Sequence, residues 1–135
     1  MELLKAIKIS AAGMRVQGQR LKIISENIAN ADSLSPFEGG DPYRRKIITF
    51  QNVLDRKLGA DLVKVKGIEF DKTEFEKKYN PGHPAADKNG YVKRPNVNPL
   101  IEMMDMREAQ RSYEANLRII SVSKSMLSRT IDLLR

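Results

Sequence analysis

No cysteine and no tryptophan occur in the 135 residues, and there is a single histidine, His83. Disulfides and thiolate metal sites are therefore excluded. A zinc site gathers several His, Cys or carboxylate ligands, and a lone imidazole in a Pro-Gly loop gives no hint of one. Asp87 lies four residues beyond His83, too weak a signal for a catalytic dyad. No Gly-rich phosphate loop, dinucleotide fingerprint or Gly-x-Ser-x-Gly elbow is present. No catalytic residue, metal site or cofactor site is expected. Aromatic residues make up 6% of the chain, too few for a large aromatic core. No apolar run approaches the ~20 residues that cross a bilayer. Glu2, Lys5 and Lys8 break up the N-terminal apolar stretch, so no cleaved secretory leader is expected.

The net charge is +7. It divides into +2 over residues 1–35, +4 over 36–99 and +1 over 100–135, with acids interleaved throughout. Nucleic-acid binders concentrate their cations in a stripe, so that class is the minor alternative. The one three-residue basic run, Arg44-Arg45-Lys46, reads first as a solvated strand edge and second as an anion-contacting patch.

What the chain does have is heptads at both ends. Ile7, Met14, Leu21 and Ile28 recur every seven residues, and Leu4, Ala11, Gly18 and Ser25 form a companion seam. Such spacing puts side chains on one stripe of a helix. The companion seam is small after Leu4, so a partner backbone can come close. Gly13 and Gly18 each cost a helix roughly 1 kcal/mol relative to Ala, and the heptad runs through both. Asn30, Asp32, Ser33 and Pro36 should end this helix.

Residues 98–135 read as a second long helix, spanning roughly 50 Å at about 1.5 Å per residue. Asn98 suits the N-cap and Pro99 the first helical position. Glu102, Asp105 and Glu108 favour the positive end of the helix dipole, and Arg129 and Arg135 the other end. Met106, Tyr113, Ile120, Leu127 and Leu134 make one seam; Met103, Gln110, Leu117, Lys124 and Ile131 make the other. Gln110 and Lys124 either restrict register within a packed seam or face solvent.

Between the helices, Tyr43–Phe50 and Leu62–Phe70 read as strands, the second by its alternation of apolar and charged residues. Tyr91-Val92-Lys93 is a weaker third, after the Asn89-Gly90 turn. The fold class expected is mainly α with a small β insert. Two long terminal helices form a coiled-coil-like rod element with a loop-rich β segment between them in sequence. The organisation is 1–33, heptad helix and turn; 34–97, β and loop; 98–135, C-terminal heptad helix. Terminal seams that pair heterologously without closing produce a helical filament.

The stretch Ser25-Glu26-Asn27-Ile28-Ala29-Asn30-Ala31-Asp32-Ser33, preceded by Gln17, Gln19 and Leu21, resembles the N-terminal signature of the flagellar axial proteins, the rod and hook family. Glu108-Ala109-Gln110-Arg111-Ser112-Tyr113-Glu114-Ala115-Asn116 resembles its C-terminal counterpart. Asp41-Pro42-Tyr43-Arg44-Arg45 and the loop from Pro81 through His83, Pro84, Asp87, Gly90, Tyr91, Asn96 and Asn98 to Pro99 are similar to a proximal rod subfamily. The resemblance implies a structural subunit of the periplasmic rod of the basal body. It also implies export through the flagellar type III apparatus, partnership with other rod proteins and further copies of itself, and transmission of motor torque. It makes the signature turn Asn27, Ala29, Asn30, Asp32 and Ser33 a family feature, and the helical seams the assembly surfaces.

Overall fold

The structure, a computed structural model, describes residues 2–134. Arg135, expected to complement the second helix's dipole, lies outside them. The order is α1 (Glu2–Ala29), β1 (Lys46–Asp55), β2 (Ala60–Phe70), β3 (Lys77–Tyr79), β4 (Tyr91–Lys93) and α2 (Pro99–Leu133). This is the expected class: two long terminal helices with a small β insert.

Local chemistry sets the helix ends. Asn30 donates from both its backbone N (3.1 Å) and its Nδ2 (2.8 Å) to the Glu26 carbonyl. Ser33 Oγ in turn donates to Asn30 Oδ1 at 3.0 Å. The side chain thus gives a carbonyl in the last turn of α1 a second donor, at the point where the helical donors run out. At the other helix, Asn98 Oδ1 accepts from Leu100 N at 3.0 Å, the expected N-cap, with Pro99 following.

β1 and β2 form one two-stranded sheet, and β3 and β4 another. The link 56–59 is far too short for a parallel crossover. Asp55 closes it, its Oδ1 accepting from Lys57 N and Leu58 N, while Gly59 takes φ 65°. β3 and β4 are antiparallel, with Lys77 opposite Lys93, Lys78 opposite Val92 and Tyr79 opposite Tyr91. β1 starts later than residue 43 and runs on to Asp55. Tyr43 and Arg45 spend their backbone N–H groups elsewhere, on the Ser33 carbonyl (3.1 Å) and Asn96 Oδ1 (2.8 Å). β3 was not expected, because Lys77-Lys78-Tyr79 carries no apolar alternation.

The chain divides into two compact units, and the divisions fall inside α1, β1, β2 and α2. The first comprises 1–21, 48–67 and 107–135. In it α1 and α2 run antiparallel: a Cβ placed on Gly13 would lie 2.9 Å from Asn116 Nδ2, and Arg20 pairs with Glu108 at 3.3 Å. Ser10, Val16, Leu58, Ala109 and Ser123 are its buried residues, mostly small. The second comprises 22–47 and 68–106. Its apolar cluster is Ala85, Ala86 and Val92 with Leu34 against them, and Ile23 and Ile24 are also buried.

Candidate functional site

The signature turn builds a polar clasp inside the second unit. Asn27 is 1% exposed and uses every hydrogen-bonding position of its amide. Its Oδ1 accepts from Tyr43 Oη and Lys46 N, both at 2.9 Å. Its Nδ2 donates to the Lys46 carbonyl at 2.9 Å and to Glu102 Oε2 at 3.2 Å. Paired with both the N–H and the C=O of Lys46, the side chain acts as the peptide of a neighbouring strand would. Glu102, also 1% exposed, accepts from Arg45 Nε at 2.5 Å. Arg45 further meets Asp71 (3.4 Å) and Asp105 (3.8 Å). Asn96 accepts from Arg45 N and donates to the carbonyls of Asp71 and Thr73.

The basic run is therefore neither a solvated edge nor an anion patch. Arg44 donates to the Asp71 and Thr73 carbonyls and lies 4.1 Å from the Phe75 ring centroid. Arg45 joins the clasp, and Lys46 Nζ pairs with Glu26 at 2.8 Å. Of the other turn residues, Ala29 is exposed and Asp32 pairs with Arg94 at 2.8 Å. The Ser33 carbonyl receives Tyr43 N.

Burial desolvates the Tyr43 phenol and raises its pKa; Lys46 opposes this, and Glu26 and Glu102 add to it. Burial disfavours the Arg45 cation, but hydrogen bonds and charge from Glu102, then Asp71, outweigh it and raise its pKa.

The seams sit differently. Ile7, Met14, Leu21 and Ile28 are half-buried, as are Met106, Tyr113, Ile120 and Leu127. Ala11 is exposed and Gly18 has nothing within 4 Å of a would-be Cβ. Gln110 is exposed, and Leu117 and Ile131 are 48% and 53% exposed; Leu134 reaches 83%. Ile119, Val122, Met126 and Leu133 are exposed on a further stripe of α2. Gln17 Oε1 is buried with no hydrogen-bond donor among the described residues.

Residues 88–133 match the family described as flagellar basal body rod FlgEFG protein C-terminal. Over 130 residues the chain is 55% identical to the flagellar basal-body rod protein FlgC of Agrobacterium fabrum, spanning 96% of this chain and 94% of that one. The chain belongs to the FlgC family of flagellar basal-body rod proteins. Identity is 39% to the FlgC of Borreliella burgdorferi over 153 aligned positions, spanning 100% of this chain and 99% of that one. It is 38% to that of Salmonella typhimurium over 133 residues, spanning 98% of each. This is a structural rod protein and not an enzyme.

In this FlgC-family chain the subfamily loop is folded on itself. Asp87 Oδ1 accepts from Asn89 N and Tyr91 N, both at 2.9 Å, and His83 Nδ1 accepts from Ala85 N at 3.1 Å. His83 and Asp87 thus each serve the local backbone. Pro81 and Pro84 are exposed, whereas Gly90 is buried at φ 83°. A Cβ there would stand 3.0 Å from the Tyr79 ring. No group of His, Asp or Glu among the described residues is arranged to hold a metal ion, and no helix is long and apolar enough to cross a membrane.

Sequence reasoning missed Glu102 and Arg45 as clasp members. The signal was there: Glu102, Ala109, Asn116 and Ser123 recur every seven residues, a small and polar heptad beside the apolar ones. It marks the covered face of α2, since Glu102, Ala109 and Ser123 are buried and Asn116 is half-buried.

Four carboxyls have pKa values below their ordinary ones, 3.8 for Asp and 4.5 for Glu, and Asp41 owes this to its hydrogen bond with the Lys93 ammonium. Glu26 is held there by the Lys46 ammonium, Asp71 by the Thr73 hydroxyl and N–H and then Arg45, and Asp87 by the N–H groups of Tyr91 and Asn89. Each contributes stability that is complete above its unfolded pKa and is lost as pH falls through the depressed folded value. Urea midpoints should therefore be level from pH 7 down to about 4.5 and decline below it. A midpoint that rises on acidification contradicts this.

Proposed function

We propose that this chain polymerises through its terminal helices into the periplasmic rod of the flagellar basal body, alongside other rod proteins and further copies of itself. It passes out unfolded through the flagellar type III export apparatus. The assembled helices then form the drive shaft that carries motor torque to hook and filament. Segments 1–33 and 98–135 supply the assembly contacts, and 34–97 the insert that the clasp fastens.

The observation that carries this is the apolar surface α2 leaves uncovered: Leu117, Ile119, Val122, Met126, Ile131, Leu133 and Leu134 are all about half exposed or more. A helix apolar on several faces belongs inside a bundle. Neighbouring helices covering it exclude water, and dense side-chain contacts then resist twist. Assembly also offers a donor to the lone Gln17 Oε1.

The test separates assembly from folding. Leu117→Asp alters an exposed position, so monomer stability should stay within about 0.5 kcal/mol. Its incorporation into detergent-resistant basal bodies should nevertheless fall at least tenfold, roughly the effect of 1.4 kcal/mol. Normal incorporation and swimming would sink the assembly reading. Gly18→Ala complements it. The monomer should gain about 0.5–1 kcal/mol from helix propensity, whereas a close partner backbone at that seam should reject the methyl. Wild-type incorporation of Gly18→Ala would remove Gly18 from the interface.

A further inference from the structure

The β3–β4 ladder carries opposite chemistry on its two sides. Strand alternation places Lys77, Tyr79, Tyr91 and Lys93 on one face and Lys78 with buried Val92 on the other. On the first face two lysines stand directly opposite each other, which a ladder tolerates at a cost. Lys93 is offset by Asp41 at 2.8 Å, but no ion pair among the described residues reaches Lys77. Next to them Tyr79 and Tyr91 are 63% and 43% exposed, ring centroids 5.3 Å apart and edge to face. The ring pair steadies the ladder and Asp87 eases the lysine repulsion, yet both rings and Lys77 keep much of their surface open. Exposed tyrosines are enriched at interfaces, whose polar rim accommodates a lysine such as Lys77.

The ladder continues one step, Arg94 N donating to the Glu76 carbonyl at 2.7 Å. Glu76 and Arg94 therefore belong to the second side. There a groove of about 350 Å³ is lined by Glu74, Glu76, Arg94, Pro95, Val97 and Pro99, among others. Asp32 neutralises Arg94 at 2.8 Å, leaving Glu74 and Glu76 exposed, with no ion pair among the described residues. One side thus presents a cation with two aromatic rings; on the other, Lys78 lies beside Val92 and, further along, two carboxylates open among prolines and a valine.

We propose that these two sides meet between successive copies of the chain, the Lys77–Tyr79–Tyr91 face of one seated against the Glu74–Glu76 groove of the next. Complementary charge on opposite sides of one small ladder makes the contact heterologous, and a heterologous contact that does not close extends into a row. This rests on the rod reading and adds to it: the β insert, and not the helices alone, sets how one copy follows another.

Two full-length chains, one with Lys77→Cys and one with Glu74→Cys, are co-expressed, and basal bodies are isolated and treated with a short bismaleimide. The native chain has no cysteine, so every link is assignable. Cross-linked dimers joining the two variants are expected, and none when either is expressed alone. Dimers from Lys77→Cys alone would mean that the face meets itself, which overturns the proposal. So would absence of mixed dimers from basal bodies containing both variants. Charge reversal gives a second reading. Lys77→Glu, and separately Glu74→Lys with Glu76→Lys, should each cut incorporation about tenfold, while a chain carrying all three recovers most of it. No recovery in a chain that folds, or no loss in the first place, argues against the pairing. If the wild-type chain is itself absent from basal bodies, it is the rod reading that fails.

Discussion

Replacing Glu102 with alanine should lower the stability of the chain by about 3 kcal/mol, a shift of roughly 1–2 M in the urea midpoint. The carboxylate is 1% exposed and holds Arg45 Nε with one oxygen and Asn27 Nδ2 with the other. Breaking a buried pair from one side generally costs about 3–5 kcal/mol, because the abandoned charge keeps its desolvation penalty. The lower end applies because Arg45 retains Asp71 and Asp105. Glu102→Gln separates the contributions: it keeps an acceptor but removes the charge, and should fall between wild type and alanine. A Glu102→Ala chain that unfolds within about 0.5 kcal/mol of wild type would mean the clasp adds nothing to stability.

Asn27→Asp is the sharper substitution, since it changes one atom. The Nδ2 that donates to the Lys46 carbonyl and to Glu102 becomes an oxygen. Two donated bonds are lost, and two carboxylates face each other where one is 1% exposed. At neutral pH the loss should reach about 3 kcal/mol or more, from unsatisfied acceptors and like-charge repulsion together. Burial and Glu102 raise the folded pKa of the new carboxyl above its unfolded value. Protonation therefore relieves the defect as pH falls from 7 toward the ordinary aspartate value of about 3.9. The wild type weakens over the lower part of that range, so the two stability curves should converge. Parallel curves in a pH series of urea melts would remove Glu102 from the account.

The sequence carried the existence of both helices and their ends, because a seven-residue period and an Asn cap are local signals. Which stripe α2 turns inward within the chain was harder to read. The covered residues are Glu102, Ala109, Asn116 and Ser123, while the apolar Leu117 and Ile131 stay outside. Hydropathy ranks those two sets in the wrong order, since close helix approach selects for small size, as Gly13 against Asn116 illustrates. The signature turn was legible as a motif but not as a device. Nothing in the spacing of Asn27, Arg45 and Glu102 announces that residues so far apart share one buried network. β3 escaped notice because two lysines and a tyrosine make a strand only when a partner, here Tyr91–Lys93, is already in place.

The clasp also has a thermal consequence. Exposing apolar surface raises the heat capacity on unfolding and exposing polar surface lowers it, with a usual net of about 12–15 cal/mol/K per residue. The largest fully buried side chains are the Glu102 carboxylate and the Asn27 amide, both in the second unit, with alanines and a few branched side chains beside them. Its heat-capacity increment should fall below that range, which flattens the curve of stability against temperature. Apolar cores loosen on cooling as their driving force fades; a joint made of hydrogen bonds and an ion pair keeps its grip in cold water.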